Sequence, residues 1–348
     1  MAEPRPSGQQ SDGHRVAIVG ATGAVGRTMV SILEEREFPL TDLRLMASAR
    51  SAGTKVTTRW GEIEVEDLAK VDPRGIDIAL FSAGADRSRA FAPAFVAAGA
   101  VVVDNSSAFR MDPGVPLVVA QVNDHAASGH DGIIANPNCT TMALMMVAGP
   151  LHRHAGLSRM VATTYQSVSG SGMAGMDALA RQTEALSKDR QALAAGGWAD
   201  PGSDMYQRPI GFNVVPMAGV ITAQGHTDEE WKLVNENRKI LDRVDIAVEP
   251  TCVRVPVMVG HGISATMWFD SPVDVDDARA VLADAPGLEV WADDHVATPL
   301  DSAGADNVLA SRIRGTIGHH GGISLWVVGD NLRKGAALNA VQIAELIA

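Results

Sequence analysis

Cys139 stands in the stretch Asn136-Pro137-Asn138-Cys139-Thr140-Thr141, after an apolar, strand-like run at 132–135 and before an apolar, helix-forming run at 141–148. A thiol in the first turn of a helix meets unpaired backbone N–H groups and the positive end of the helix dipole, which favour the thiolate and with it nucleophilic attack. The same residue sealed in a core would be a small hydrophobe. Arg254 and His261 lie seven residues apart in an extended segment that contains Pro256. If Gly260 bends the chain, one pocket receives a guanidinium for an anion and an imidazole for proton transfer. Glu229 and Lys232, at i and i+3, read from their spacing as a surface ion pair. Arg110 follows a strand end in the loop 105–110, where it can reach a site. Cys252, in an apolar β-rich run, reads as core.

These residues need a scaffold, and its clearest signal is near the start. An apolar run at 14–19 leads into Gly20-Ala21-Thr22-Gly23-Ala24-Val25-Gly26 and then a helical pattern at 27–35. Strand, glycine turn and helix in that order make a phosphate-binding entry, with Gly20, Thr22, Gly23, Ala24 and Val25 as cofactor contacts. The next strand, 43–47, ends in Ser48, Arg50 and Ser51 where an acidic residue would hold a ribose hydroxyl. That pattern suits a 2′-phosphate and hence NADP over NAD; otherwise Arg50 caps a solvated turn. Strands at 76–81, 101–104 and 117–120, with a helix at 87–98, continue a doubly wound parallel sheet, and the loop beginning at Ser82 faces the cofactor.

Beyond Cys139 the texture is β-rich, with runs at 160–168, 244–259 and 263–269 that predict a largely antiparallel sheet. Helices are expected at 173–194 and 228–241, the second opened by a capping box from Thr227 to Glu230. An amphipathic helix is expected at 331–348, after a strand at 322–329. The 348 residues are 46% apolar and suggest about two domains. With 29 basic against 41 acidic side chains the net charge is -12, which argues against nucleic acid or an acidic membrane as partner. Two cysteines, and a polar stretch at 1–13 that reads as a disordered leader and not a signal peptide, point to a reducing, cytoplasmic setting. The adjacent His319 and His320 cannot both point one way in a strand, and no metal is expected.

GATGAVG at 20–26, SARSAG at 48–53, NSSAFR at 105–110, NPNCTT at 136–141, YQSVSGSG at 165–172, EEWK at 229–232, CVRVPVMVGH at 252–261 and DNLRKGAALNAVQIAE at 330–345 occur here in one order. On these segments the chain resembles aspartate-semialdehyde dehydrogenases from residue 16 to 347. The resemblance implies NADPH-dependent reduction of L-aspartyl 4-phosphate to L-aspartate 4-semialdehyde and phosphate, on the route to lysine, threonine and methionine. It implies Cys139 as nucleophile, Gln166 orienting the acyl intermediate and His261 as acid/base. Arg254 would hold the substrate carboxylate, Glu229 its ammonium, and Arg110 and Lys232 its phosphate, with Asn138 in the same site. Ser169, Gly170 and Asn331 would contact the cofactor.

It further implies a nucleotide-binding domain built from 14–138 together with 331–348, a catalytic and dimerisation domain at 139–330, and a homodimer or tetramer. The chain departs from the family at Gln121, where Glu is usual, and at Gly262, where Ser usually follows the histidine. A reductase of another acyl phosphate, such as N-acetylglutamyl phosphate, is the alternative enzyme; a non-catalytic paralogue would have lost Cys139, Gln166 or His261.

Overall fold

The computed structural model describes residues 13–203, 205–292, 294–318 and 320–348, so the leader expected at 1–13 lies outside it but for Gly13, as does His319. The first sheet grows from β1 (His14–Val19), whose last four residues are buried. A continuous apolar run of this kind is what a parallel strand covered on both faces requires. Around it lie α1 (Ala24–Glu35), β2 (Leu40–Ala47), β3 (Lys55–Thr58), β4 (Gly61–Asp67), β5 (Ile78–Phe81), α2 (Ala85–Ala97), β6 (Val101–Asp104) and β7 (Ile133–Ala135). The strand order is β3-β4-β2-β1-β5-β6-β7, parallel throughout except for the β3–β4 hairpin. The strand expected at 117–120 does not form; only Leu117 bridges to Ala135. Two asparagine side chains take up its backbone groups instead: Asn123 bonds Val119 N and Leu117 O, and Asn339 bonds Ala120 N and Val118 O.

α3 (Cys139–Ala155) links the two sheets. Its side chains from Thr140 to Leu151 are buried all round, so the helix is core on every face, each Leu or Met contributing roughly 1.5–3 kcal/mol. After it come β8 (Leu157–Gln166), α4 (Gly172–Ser187), α5 (Arg190–Ala195), α6 (Asp228–Ile240), β9 (Ala247–Arg254), β10 (His261–Phe269), α7 (Val275–Ala283), β11 (Leu288–Val290), α8 (Pro299–Ser302), β12 (Val308–Gly315) and β13 (Gly322–Gly329). The second sheet runs β11-β12-β13-β10-β8-β9. It is antiparallel through β12, β13, β10 and β8, with parallel pairs β8–β9 and β11–β12 at its edges.

Two expected elements are broken. The helix foreseen at 173–194 stops at Ser187, because the side chain of Asp189 caps a second helix by accepting from Ala192 N. The long strand foreseen at 244–259 ends at Arg254, since Pro256 has no N–H to donate and Gly260 turns the chain at φ 93°. The C-terminal segment also differs: it opens with a π-helical turn, Arg333–Ala337, before α9 (Leu338–Ile347). α9 is buried with α1 and the first sheet in one core.

Candidate active site

Register explains why residues far apart in sequence meet. β8 and β9 run parallel with Gln166 paired to Arg254, each the last residue of its strand, while β10 runs back from its first residue, His261. Three side chains therefore share one end of the second sheet. Cys139 is the first residue of α3, behind the N-cap Asn138, whose Oδ1 accepts from Thr140 N at 3.0 Å. Its sulfur lies 3.2 Å from His261 Nε2. Both line or adjoin a cavity of about 200 Å³ walled by Asn138, Cys139, Gln166, Glu229, Arg254 and Asn331, with Arg110, Ser169 and Gly170 also on it.

The electrostatics of the pair differ from the sequence expectation. A helix start alone favours the thiolate, but burial pushes the Cys139 thiol up to about 11, and the Glu229 carboxylate adds to this against Arg254, Arg110 and the Thr140 N–H. Burial, with Arg254 nearby, lowers His261 to about 3. The Ser167 N–H donates to His261 Nδ1 at 3.0 Å, which leaves the proton of a neutral imidazole on Nε2, facing sulfur. The resting pair is thus thiol and neutral imidazole.

Arg254 is buried, and among the described residues no carboxylate pairs with it. Its Nη1 donates to Ser167 O at 2.7 Å, its plane lies over Tyr206, and its Nε has no partner. A buried guanidinium left this way is costly until an anion arrives. Glu229 faces the same cavity, its Oε2 accepting from Asn138 Nδ2 at 2.9 Å. Arg110 is committed to Glu236 at 3.0 Å and to the carbonyls of Asn136 and Asn105. Lys232 does not line the cavity; Asp228 and Glu229 hold its Nζ at 2.9 and 2.7 Å. Asn331 Oδ1 accepts from Ser167 Oγ, Ser169 Oγ and Gly260 N, tying the start of the last segment to the histidine loop.

The glycine turn makes a second, shallower cleft of about 220 Å³, lined by Gly20, Thr22, Gly23, Ser48, Arg50, Ser51 and Ser82. Gly20 has φ 93°, and a Cβ there would lie 2.2 Å from Ser82 O; one at Gly26 would lie 2.2 Å from Gly20 O. No side chain caps α1 at Gly23, so its first N–H groups remain for an anion. Ala24 opens α1, and Val25 faces the catalytic cavity. These features fit the phosphates of a dinucleotide, which the first turn of α1 would hold through its backbone N–H groups.

Sequence reasoning missed Arg87, which joins Arg50 in this cleft, Gly335 on the wall of the cavity beside Cys139, and Glu236 and Ser167, which bond to Asn138 and His261. Nothing local marks them; each depends on what packs opposite. Of the two departures, Gly262 has a cause: a Cβ there would lie 2.4 Å from the Trp326 ring. Cys252 is core, its thiol pushed up by burial to about 12. Among the described residues no group of three His, Cys, Asp or Glu could hold a metal ion, and no helix is long and apolar enough to cross a membrane.

A glycine-turn nucleotide cleft opening toward a cysteine beside a histidine defines an NAD(P)-dependent oxidoreductase acting on an aldehyde. Family models bear this out: residues 15–130 match the semialdehyde dehydrogenase NAD binding domain, and residues 149–334 its dimerisation domain. The chain is 52% identical to an aspartate-semialdehyde dehydrogenase of Streptomyces akiyoshiensis over 96% of its length and 98% of the relative's. It is 50% identical to that of Mycolicibacterium smegmatis over the same shares of the two chains. The solved structure of Vibrio cholerae aspartate semialdehyde dehydrogenase II complexed with ASA superposes with a TM-score of 0.91 at 43% identity, covering 97% of this chain and 98% of that one. The chain belongs to the aspartate-semialdehyde dehydrogenase family.

Proposed function

We propose that the chain reduces L-aspartyl 4-phosphate with NADPH to L-aspartate 4-semialdehyde and phosphate, reversibly, through a thioester on Cys139. The observation that carries this reading is the sulfur 3.2 Å from His261 Nε2 in a cavity that also holds an unpaired, buried Arg254. The opposed charges of Arg254 and Glu229 match the carboxylate and ammonium of a free α-amino acid. An N-acetylated substrate has no ammonium to offer Glu229 beside its contacts to Lys232 and Asn138, which disfavours N-acetylglutamyl phosphate.

Cys139 attacks the acyl carbon, and its proton passes to the departing phosphate; the alkoxide collapses, the C–O bond to phosphate breaks, and a thioester remains. The reduced nicotinamide, when bound, supplies a hydride to that carbon. Collapse of the resulting thiohemiacetal releases the aldehyde and returns the sulfur. His261 acts through Nε2–H, donating to sulfur or to the developing alkoxide, with Ser167 N–H fixing its tautomer. Gln166 orients the acyl group, and Asn138 positions Glu229.

Arg110 receives the phosphate with the two N–H groups left beyond its three bonds. Lys232 reaches it only by exchanging one of its carboxylate partners. Ser48, Arg50 and Ser51 select the 2′-phosphate of NADP, and Ser169, Gly170 and Asn331 lie at the nicotinamide end. The nucleotide domain comprises 14–138 with 331–348, the catalytic domain 139–330.

The protein works as a homodimer in a reducing, cytoplasmic setting and feeds lysine, threonine and methionine synthesis. The exposed apolar residues Phe212, Val214, Val220 and Ile221 suit a subunit contact. Phosphate-dependent NADP reduction with aspartate semialdehyde tests the reaction. Cys139→Ser is expected to lower kcat by on the order of 10³-fold or more; undiminished activity would exclude the thioester route.

A further inference from the structure

Lys334 is buried to 1% exposure, yet among the described residues no carboxylate touches its ammonium. Nζ donates to Gln342 Oε1 at 2.7 Å, Ala120 O at 2.8 Å, and Gln121 Oε1 and Asn339 Oδ1 at 3.2 Å each. Three protons are shared among four neutral oxygens. The charged groups that act on it are more distant: Asp124 and Asp306 favour its charge and Arg36 opposes it. Arg36 is itself paired with Glu345, and Asp306 with Arg333, which also holds Glu35. Burial pushes the ammonium down to about 7.

The position of this lysine in the chain gives the cage its meaning. Lys334 is the second residue of the π turn, and the third, Gly335, lies against the cysteine: a Cβ at Gly335 would come within 3.1 Å of the Cys139 Cβ. The same segment touches the site twice more. Ala336 O accepts from Asn136 Nδ2 at 3.0 Å, and Asn331 holds the serines beside His261. From the opposite side, the lysine cage joins this turn to residues 120–121 and to α9.

We propose that Lys334 is a positioning residue for Cys139: its ammonium, caged by neutral oxygens, holds the π turn against the first residue of α3 and so keeps the sulfur at His261. The proposal rests on the reading of Cys139 as nucleophile. Loss of a proton from Nζ relieves the cost of a buried charge and so stabilises the fold as a whole, but it leaves two donors and a lone pair among four acceptors, so the geometry of the turn loosens locally as pH rises. Activity therefore carries an alkaline limb set by Lys334. Burial moves the Cys139 thiol up and the His261 imidazole down, both away from that range.

The test uses full-length protein, with kcat and KM for semialdehyde, phosphate and NADP measured from about pH 6 to 9.5 in wild type, Lys334→Met and Gln121→Glu. Lys334→Met is expected to lower kcat about tenfold or more while KM for semialdehyde and NADP stays within about twofold. Gln121→Glu supplies a carboxylate to the cage and is expected to move the alkaline limb up by about one pH unit. A folded Lys334→Met protein that binds NADP normally and keeps kcat within about twofold of wild type overturns the proposal. So does an alkaline limb that Gln121→Glu leaves in place, and that result decides alone if Lys334→Met does not fold. Activity in Cys139→Ser would instead overturn the nucleophile reading, whatever the lysine variants show.

Discussion

The two clefts of this molecule are built in opposite ways. The nucleotide cleft is made mostly of backbone and short polar side chains, from the turn between β1 and α1 and the loops that follow the two neighbouring strands, β2 and β5. The catalytic cavity is made of buried side chains from α3, α6, β8, β9, the loop 105–110 and the segment after β13. A dinucleotide's phosphates need only N–H groups at a helix start and glycines that let the chains approach. A covalent reaction needs charged and titratable groups held out of water at distances of about 3 Å, and such groups are held only by packing from several directions. The difference shows in the arginines. Arg50 is exposed in a turn, whereas Arg254 is buried with an unpaired Nε.

Removing each of these arginines sharpens the contrast. Arg254→Leu deletes the desolvated cation proposed to hold the substrate carboxylate and is expected to lower kcat/KM for aspartate semialdehyde by about two to three orders of magnitude, with NADP affinity little changed. A loss below about tenfold in steady-state assays would mean that the buried site does not depend on its charged side chains. Arg50→Ala should act only on the other cleft. Its expected effect is a drop of about tenfold in the preference for NADP over NAD, with kcat on NADP nearly kept. Unchanged preference would assign the 2′-phosphate to another group, Arg87 being the nearest cation in the cleft.

The smallest effect concerns stability and pH, and it belongs to the buried side. Lys334 binds its proton less tightly in the folded protein, at about 7, than in the unfolded chain, at 10.5. Between those values the unfolded state holds more protons, so this contribution is complete above 10.5 and is lost as pH falls toward 7. Cys139 and Cys252 act in the other direction. Their thiols are raised to about 11 and 12 from 9.0, so stability falls as pH rises above 9. The thermal midpoint should therefore rise by a few degrees from about pH 7 to 9 and turn over beyond it. Gln121→Glu should flatten the rise, and a midpoint that does not rise over that window in wild type would contradict the burial of an uncompensated lysine.

The sequence by itself determined what depends on neighbours in the chain. Gly20 and Gly26 marked the nucleotide turn because the close approach of the chains there leaves no room for a Cβ. The capping box of α6 was legible because Thr227 and Glu230 satisfy each other within four residues. Cys139 could be placed at a helix start because the apolar run after it is continuous. What its thiol would do there was not legible: burial and Glu229 raise it, and neither is visible from residues 136–141.

Tertiary structure alone decided the rest. Strand register brought Gln166, Arg254 and His261 to one sheet end, Ser167 N–H chose the histidine tautomer, and Trp326 filled the space beside Gly262. It turned residues 117–120 from an expected strand into a segment bonded by Asn123 and Asn339, and it opened the last helix with a π turn around Lys334 and Gly335. The physical reason is common to all of these. Glycine turns and caps are satisfied by atoms a few residues away, whereas a buried charge or proton takes its properties from whatever the fold packs against it.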